Sequence, residues 1–138
     1  LVKDNQGQDR YSALSGLLNN FLTLEKSLNS YLDGKKMSFP RFYSLSEEDI
    51  LAILGSSKPD TIQPYLLKLF DACKMLTFEQ GGKIITAMTS DEGECYKFER
   101  PIKPEGNVED WMGRVEDEMK RTLHIHCKKA VYLYARED

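Results

Sequence analysis

The run Leu-His-Ile-His-Cys at 123–127 holds both histidines of the chain and one of its three cysteines. These residue types bind zinc or assemble a thiol nucleophile. Ligands on a helix share a face when they stand three or four residues apart, a spacing that His124 and Cys127 satisfy; His126, two residues from His124, points away. Two ligands do not close a zinc site, and a histidine three residues before a cysteine on one helix is not easily oriented by a third group. A surface histidine beside a half-buried cysteine on a packed helix is the expected arrangement. Gly82-Lys83 shares the ending of a phosphate-binding loop, but Thr77 stands where that loop needs its first glycine and Ile84 where it needs a hydroxyl, so a β-turn is expected instead. The acidic groups Glu47-Glu48-Asp49, Asp91-Glu92-Glu94 and Glu116-Asp117-Glu118 could supply paired carboxylates. Two of them sit at or near helix starts, and Asp91-Glu92-Gly93-Glu94 lacks the alternating oxygen ligands of a calcium loop, so each is read as solvated charge. No catalytic, cofactor-binding or metal-ligating residue is assigned.

The elements that would position any site follow from periodicity. After a loose lead-in over 1–9, Leu14, Leu17, Phe21, Leu24, Leu28 and Tyr31 step by three and four, the seam of a long amphipathic helix packed on partner helices, with Gly34 ending it. Ser46 followed by Asp49 approximates a capping box for a short helix whose apolar face is Ile50, Leu51 and Leu54, closed by Gly55. Another helix starts near Asp60-Thr61, tolerates Pro64 in its first turn, and carries Ile62, Leu66, Phe70 and Cys73. Beyond Lys74 the period shortens: 75–78, 83–88 and 95–98 are β-branched or aromatic runs separated by turn residues. Pro101, Pro104 and Gly106 form a linker. Asn107 and Asp110 then cap a long last helix with Trp111, Val115, Met119, Leu123, His126, Ala130 and Leu133 on its apolar face. The expected fold is α+β, mostly α: a helical bundle of two long and two shorter helices with a small antiparallel β-hairpin or meander. Its parts are a helical portion over 10–74, a β-hairpin region over 75–100 and a long helix over 107–136, within one fragment spanning 1–138.

A chain of 138 residues that is 41% hydrophobic and 30% charged can bury a core and keep a solvated face. A net charge of −3 argues against nucleic-acid and membrane-surface partners, which call for a basic footprint. An odd number of widely spaced cysteines without a CxxC pair fits reduced thiols in the cytosol. No apolar run approaches the roughly 18–20 residues that span a bilayer. A start at Leu1 rather than Met and a charged end in Ala-Arg-Glu-Asp suggest a piece of a longer chain, with any targeting signals left outside it.

The stretch Phe39-Pro40-Arg41-Phe42-Tyr43 places three aromatics around a Pro-Arg pair just before the capped acidic helix. Pro40 fixes its own φ and pushes Phe39 towards extended backbone. Phe39, Phe42 and Tyr43 can then wedge between the first helix and the next, leaving Arg41 to reach a carboxylate or the carbonyls at a helix end. Trp111 is the further anchor on the last helix.

The segment LEKSLNSYLDGKKMSFPRFYSLSEEDILAIL, residues 24–54, resembles the linker region of dynein heavy chains. That family shows a Leu-Asn-x-Tyr-Leu helix end, a basic pair, Phe-Pro-Arg-Phe-aromatic, and a Ser-x-acidic-acidic-aliphatic helix. Ile62-Gln63-Pro64 with Leu66 and Phe70 resembles the family's next helix, and Ser90 to Glu94 the turn of its β-hairpin. Val108 to Trp111, with Glu118-Met119 and Thr122-Leu123, resembles its last linker helix before the first AAA+ module. The resemblance runs in order over nearly all of 14–134. Ser44, where an aromatic is common, Ala52, where an acid is common, and the order Lys58-Pro59-Asp60 depart from the pattern. The wording around 75–88 and the Val-Glu-Asp-Trp run favour the axonemal class over the cytoplasmic one.

The resemblance implies the C-terminal part of a mechanical arm that lies across an AAA+ ring, bends and straightens with the ring's ATP cycle, and drives movement along microtubules. It implies no chemistry and no cofactor in this fragment, with ATP and Mg2+ held in the parent's ring. The implied partners are that ring and the remaining linker, with the microtubule met only through the parent motor, in the cytoplasm and on the cytoskeleton of a cilium or flagellum axoneme. A free-standing helical adaptor that binds another protein through an exposed apolar stripe is the competing expectation.

Overall fold

A computed structural model describes residues 9–136, so the expected lead-in falls almost wholly outside the described residues. The described residues form an α+β fold, mostly α. Helix α1 (Arg10–Ser38) is followed by a 3-10 helix (Pro40–Ser44), α2 (Glu47–Leu54), a second 3-10 helix (Pro59–Tyr65) and α3 (Leu66–Leu69). Strands β1 (Cys73–Glu79), β2 (Ile84–Ser90) and β3 (Cys95–Ile102) come next, then α4 (Val108–Tyr134). The chain divides into two compact units, 1–35 and 36–138.

In the first unit, α1 passes through Gly34 instead of stopping there, because that glycine does not take the left-handed conformation that ends a helix. The helix stops at Ser38, where the proline two residues on forces Phe39 out of the helical region, to φ −133° and ψ 91°. The apolar stripe is present at the expected spacing, yet Leu14, Leu17, Phe21, Leu24, Leu28 and Tyr31 are all exposed, and Leu32 is the buried position. Periodicity states which face needs a partner but does not supply one, and this stripe remains uncovered among the described residues.

The second unit is built on a three-stranded antiparallel meander in the order β1-β2-β3. Leu76 faces Met88 across the first pair, and Ala87 faces Lys97 across the second. The β1–β2 turn runs through Gln80, Gly81 and Gly82, all at positive φ, and Gly93 makes the β2–β3 turn in the same way; only glycine adopts such backbone freely. Each strand is longer than the sequence runs suggest. Cys73 belongs to β1 rather than to a helix, and Pro101 lies inside β3 rather than in the linker. Pro101 is tolerated because β3 is an edge strand, where a missing amide proton breaks no ladder bond on the outer side.

Helix α4 packs on β3, burying Trp111, Met112, Val115, Met119 and Thr122 in a core with Leu76, Ile85, Phe98 and Ile102. Its burial ends there: Leu123, His126, Ala130 and Leu133, expected on the apolar face, are all exposed, since α4 runs on past the three-stranded sheet. The helix expected from Asp60 is instead a 3-10 turn over Pro59–Tyr65 and a single α-turn. Pro64 lacks the amide proton that would continue an α-helical ladder, and 3-10 bonding takes over. In α2 the Ser46 hydroxyl accepts from the Asp49 amide at 3.2 Å as expected, but Ile53 rather than Leu51 joins Ile50 in the core.

Phe42 is fully buried whereas Tyr43, its neighbour, is 63% exposed. Phe42→Ala is expected to lower the unfolding free energy by about 3–5 kcal/mol in urea denaturation. Tyr43→Ala should change it by less than about 1 kcal/mol, and equal effects would contradict this packing.

Candidate functional site

A 3-10 helix turns once every three residues, so Phe39 and Phe42 fall on one side, Arg41 and Ser44 on another, and Pro40 and Tyr43 on the third. The structure follows that rule. Phe39 and Phe42 are buried, with ring centroids 5.0 Å apart in an edge-to-face pair, a geometry that aligns the positive edge of one ring with the negative face of the other. Pro40 and Tyr43 face solvent, which removes Tyr43 from the expected wedge. The Tyr43 ring lies beneath the Lys36 ammonium, 5.8 Å from its centroid.

Arg41 makes three contacts with three partners. Its Nη1 donates to the Leu69 carbonyl at the end of α3 at 3.0 Å. Its guanidinium sits 4.6 Å from the Phe70 ring centroid. Its Nε lies 3.2 Å from Glu116 Oε1 on α4, a charge contact that is off the axis of a well-formed hydrogen bond. Glu116 is held from the other side by Lys120 Nζ at 2.7 Å, one helical turn on. Ser44 Oγ lies 2.7 Å from the carbonyls of both Arg41 and Lys68 and can donate to one at a time. Lys68 in turn reaches Asp49 of α2 at 2.9 Å. A single short turn is thereby tied directly to α3 and α4, and through Lys68 of α3 to α2.

Glu116 and Glu118 are not the solvated charges that the acidic run suggests. Glu118 is buried and accepts the Arg100 amide of β3 at 3.1 Å. Burial pushes the Glu116 carboxyl up, but Lys120 and Arg41 together outweigh it and hold the group below its ordinary value of 4.5. Gln63, which the sequence offers only as part of the Ile62-Gln63-Pro64 resemblance, also has a structural role. Its side-chain amide donates to the Leu76 carbonyl at 2.5 Å and accepts from the Leu76 amide at 3.0 Å, pairing with β1 as a neighbouring strand would. The i to i+4 spacing of Glu116 and Lys120 was the one signal that could have marked Glu116; nothing local marks Gln63.

Trp111 is buried, but it lies apart from Arg41, lining a smaller cleft with Ile53, Ile62 and Pro104. His124 and Cys127 are exposed, and the His126 ring meets Tyr96 edge-on at 5.0 Å. Among the described residues, no group of three or more His, Cys, Asp or Glu could hold a metal ion, and no helix is long and apolar enough to cross a membrane. Beside Arg41 opens a cleft of about 490 Å3, mainly apolar, between the α3–β1 turn, β2, β3 and α4.

The family model for the dynein heavy chain, N-terminal region 2, matches residues 2–130. The chain is 43% identical over 127 residues to the Dynein-1-alpha heavy chain of the flagellar inner arm I1 complex of Chlamydomonas reinhardtii, covering 92% of this chain and 3% of the relative. It is 38% identical over 135 residues to human dynein axonemal heavy chain 10, covering 96% of this chain and 3% of the relative. It is 37% identical over 142 residues to human cytoplasmic dynein 2 heavy chain 1, covering 95% of this chain and 3% of the relative. The chain thus spans about 3% of the length of these relatives, which include axonemal and cytoplasmic heavy chains.

Because the folded-state value of Glu116 is depressed, its contribution to stability is fully present above about pH 4.5 and is lost as pH falls through the lower folded value. Glu116→Gln should therefore be less stable than the unaltered chain at pH 6 and should converge with it near pH 3, as read by urea denaturation across that range. A stability difference that stays constant with pH would contradict the ion-pair assignment.

Proposed function

Since the chain belongs to the dynein heavy chain, N-terminal region 2 family, we propose that it is a segment of the motor's mechanical linker, the C-terminal part of an arm that carries displacement from an ATPase ring. The observation that carries this reading is the Arg41 cluster. It fastens the turn after α1 to the end of α3 and to the middle of α4 with a hydrogen bond, a ring contact and an ion pair. Densely packed interiors transmit strain because they compress little, and this joint adds directional contacts between elements far apart in sequence that also pack in the same core.

On this reading the segment performs no reaction. ATP and Mg2+ belong to the parent's ring, the partners are that ring and the rest of the arm, and the microtubule is engaged only through the whole motor. The place of action is the cytoskeleton. The flagellar and axonemal relatives support a cilium or flagellum as the setting. The exposed stripe on α1 supports a second reading, a helical adaptor that binds another protein. The two differ in whether this segment matters to the coupling of ATP turnover to movement.

In a heavy-chain motor that contains the segment, Arg41→Ala is expected to cut microtubule gliding velocity by about twofold to fivefold while ring ATPase per motor stays within about twofold, since the joint couples motion rather than chemistry. Unchanged velocity, or velocity and ATPase lost in equal measure, would reject the lever reading.

A further inference from the structure

The cleft beside Arg41 is not needed for the joint, and its chemistry is specific enough to describe what it accepts. At about 490 Å3 it falls within the size range of sites that enclose a few side chains or a small ligand. Phe70, Met88 and Met119 are buried around it, and Leu123 lies at its edge, 46% exposed. Methionine walls adapt to aliphatic and aromatic shapes alike.

The charges around this apolar floor are not balanced. Both cations that line it, Arg41 and Lys120, are held by Glu116, at 3.2 and 2.7 Å. Asp71 and Glu94 also line it and make no ion pair among the described residues; Glu94 accepts only a neutral side-chain hydrogen bond, from the Tyr96 hydroxyl at 3.0 Å. An incoming group therefore meets an apolar pocket whose spare charge is negative. Acidic ligands are disfavoured there, because the cations that would receive them are already engaged.

We infer that this cleft is a docking site for a partner protein segment that inserts one aliphatic or aromatic side chain flanked by lysine or arginine. The apolar side chain fills the space lined by Phe70, Met88 and Met119, and the flanking cations pair with Asp71 and Glu94. This goes beyond the lever reading and does not depend on it.

Amide chemical-shift titrations of the 138-residue chain with two peptides, acetyl-Lys-Phe-Leu-Lys-amide and acetyl-Glu-Phe-Leu-Glu-amide, test the proposal. The basic peptide should shift the amides of Met88, Tyr96, Met119 and Leu123 and bind about tenfold more tightly than the acidic one at low salt. The double variant Asp71→Asn, Glu94→Gln should shrink that preference to about twofold. Leu123 is exposed, so Leu123→Lys should keep a dispersed spectrum while weakening the basic peptide by about tenfold. Equal binding of the two peptides, or shifts confined to other surfaces, would overturn the assignment. So would cleft shifts that grow with protein concentration without peptide, which would make a second copy of the chain the occupant.

Discussion

Pro40 denies Phe39 the helical region and fixes its own φ, so α1 ends and the chain turns within a few residues. The three-residue period of that turn then decides where each side chain points. Two aromatics go inwards together, the guanidinium goes sideways to α3 and α4, and the tyrosine goes out. Turning the helix so that the Arg41 side faces inwards would bury the charge and expose both phenylalanines. An unpaired buried guanidinium is costly, and Ser44, which would enter with it, brings no apolar gain. The order of residues in this pentapeptide is thus a constraint on side-chain direction, and the contacts made by α2, α3 and α4 depend on it.

The sheet rests on a second constraint, the protection of its edges. A three-stranded meander has two open sides, each a row of amides and carbonyls able to pair with a foreign strand. On β1 the side-chain amide of Gln63 takes the place of a peptide group opposite Leu76. On β3 the Glu118 carboxylate takes the Arg100 amide while α4 covers the strand. Both devices use polar side chains from helical segments to finish a β ladder. Each locks a helix to a particular position along a strand, which apolar packing alone, being non-directional, does not do.

Much of the fold was legible because its signals are local. The Ser46 cap, the Gly81-Gly82 and Gly93 turns and the β-branched runs are each written within a few residues. Some failures are local, such as the helix expected from Asp60, which Pro64 turns into a 3-10 turn, but most concern what lies opposite an element. Heptad-like spacing in α1 and the apolar positions of α4 beyond Thr122 predicted partners that are absent among the described residues. Glu116 and Glu118 read as solvent charges because the groups that receive them, Arg41 and the Arg100 amide, come from 75 and 18 residues away in sequence. The FPRFY stretch was legible as a wedge, and Arg41 as a residue in search of helix-end carbonyls or a carboxylate. Only the 3-10 geometry decided which aromatics enter the core.

Four groups of the second unit are pushed further from neutral pH by their surroundings. The Asp49 carboxyl is lowered, chiefly by the Lys68 hydrogen bond against a smaller opposing effect of desolvation, and Glu116 is lowered despite its burial. The Cys73 thiol is raised by burial, and the Tyr96 phenol by its hydrogen bond to Glu94. A general acid or base works best when its pKa lies near the operating pH, and a thiol nucleophile needs its thiolate. Asp49 and Glu116 therefore stay charged, and the Cys73 thiol and Tyr96 phenol stay neutral, across the physiological range, so the ion pairs made by those two carboxylates keep one state. Constancy of that kind is a disadvantage for proton transfer by these four groups, and it keeps the Asp49–Lys68 and Arg41–Glu116–Lys120 pairs in one arrangement wherever the chain remains folded.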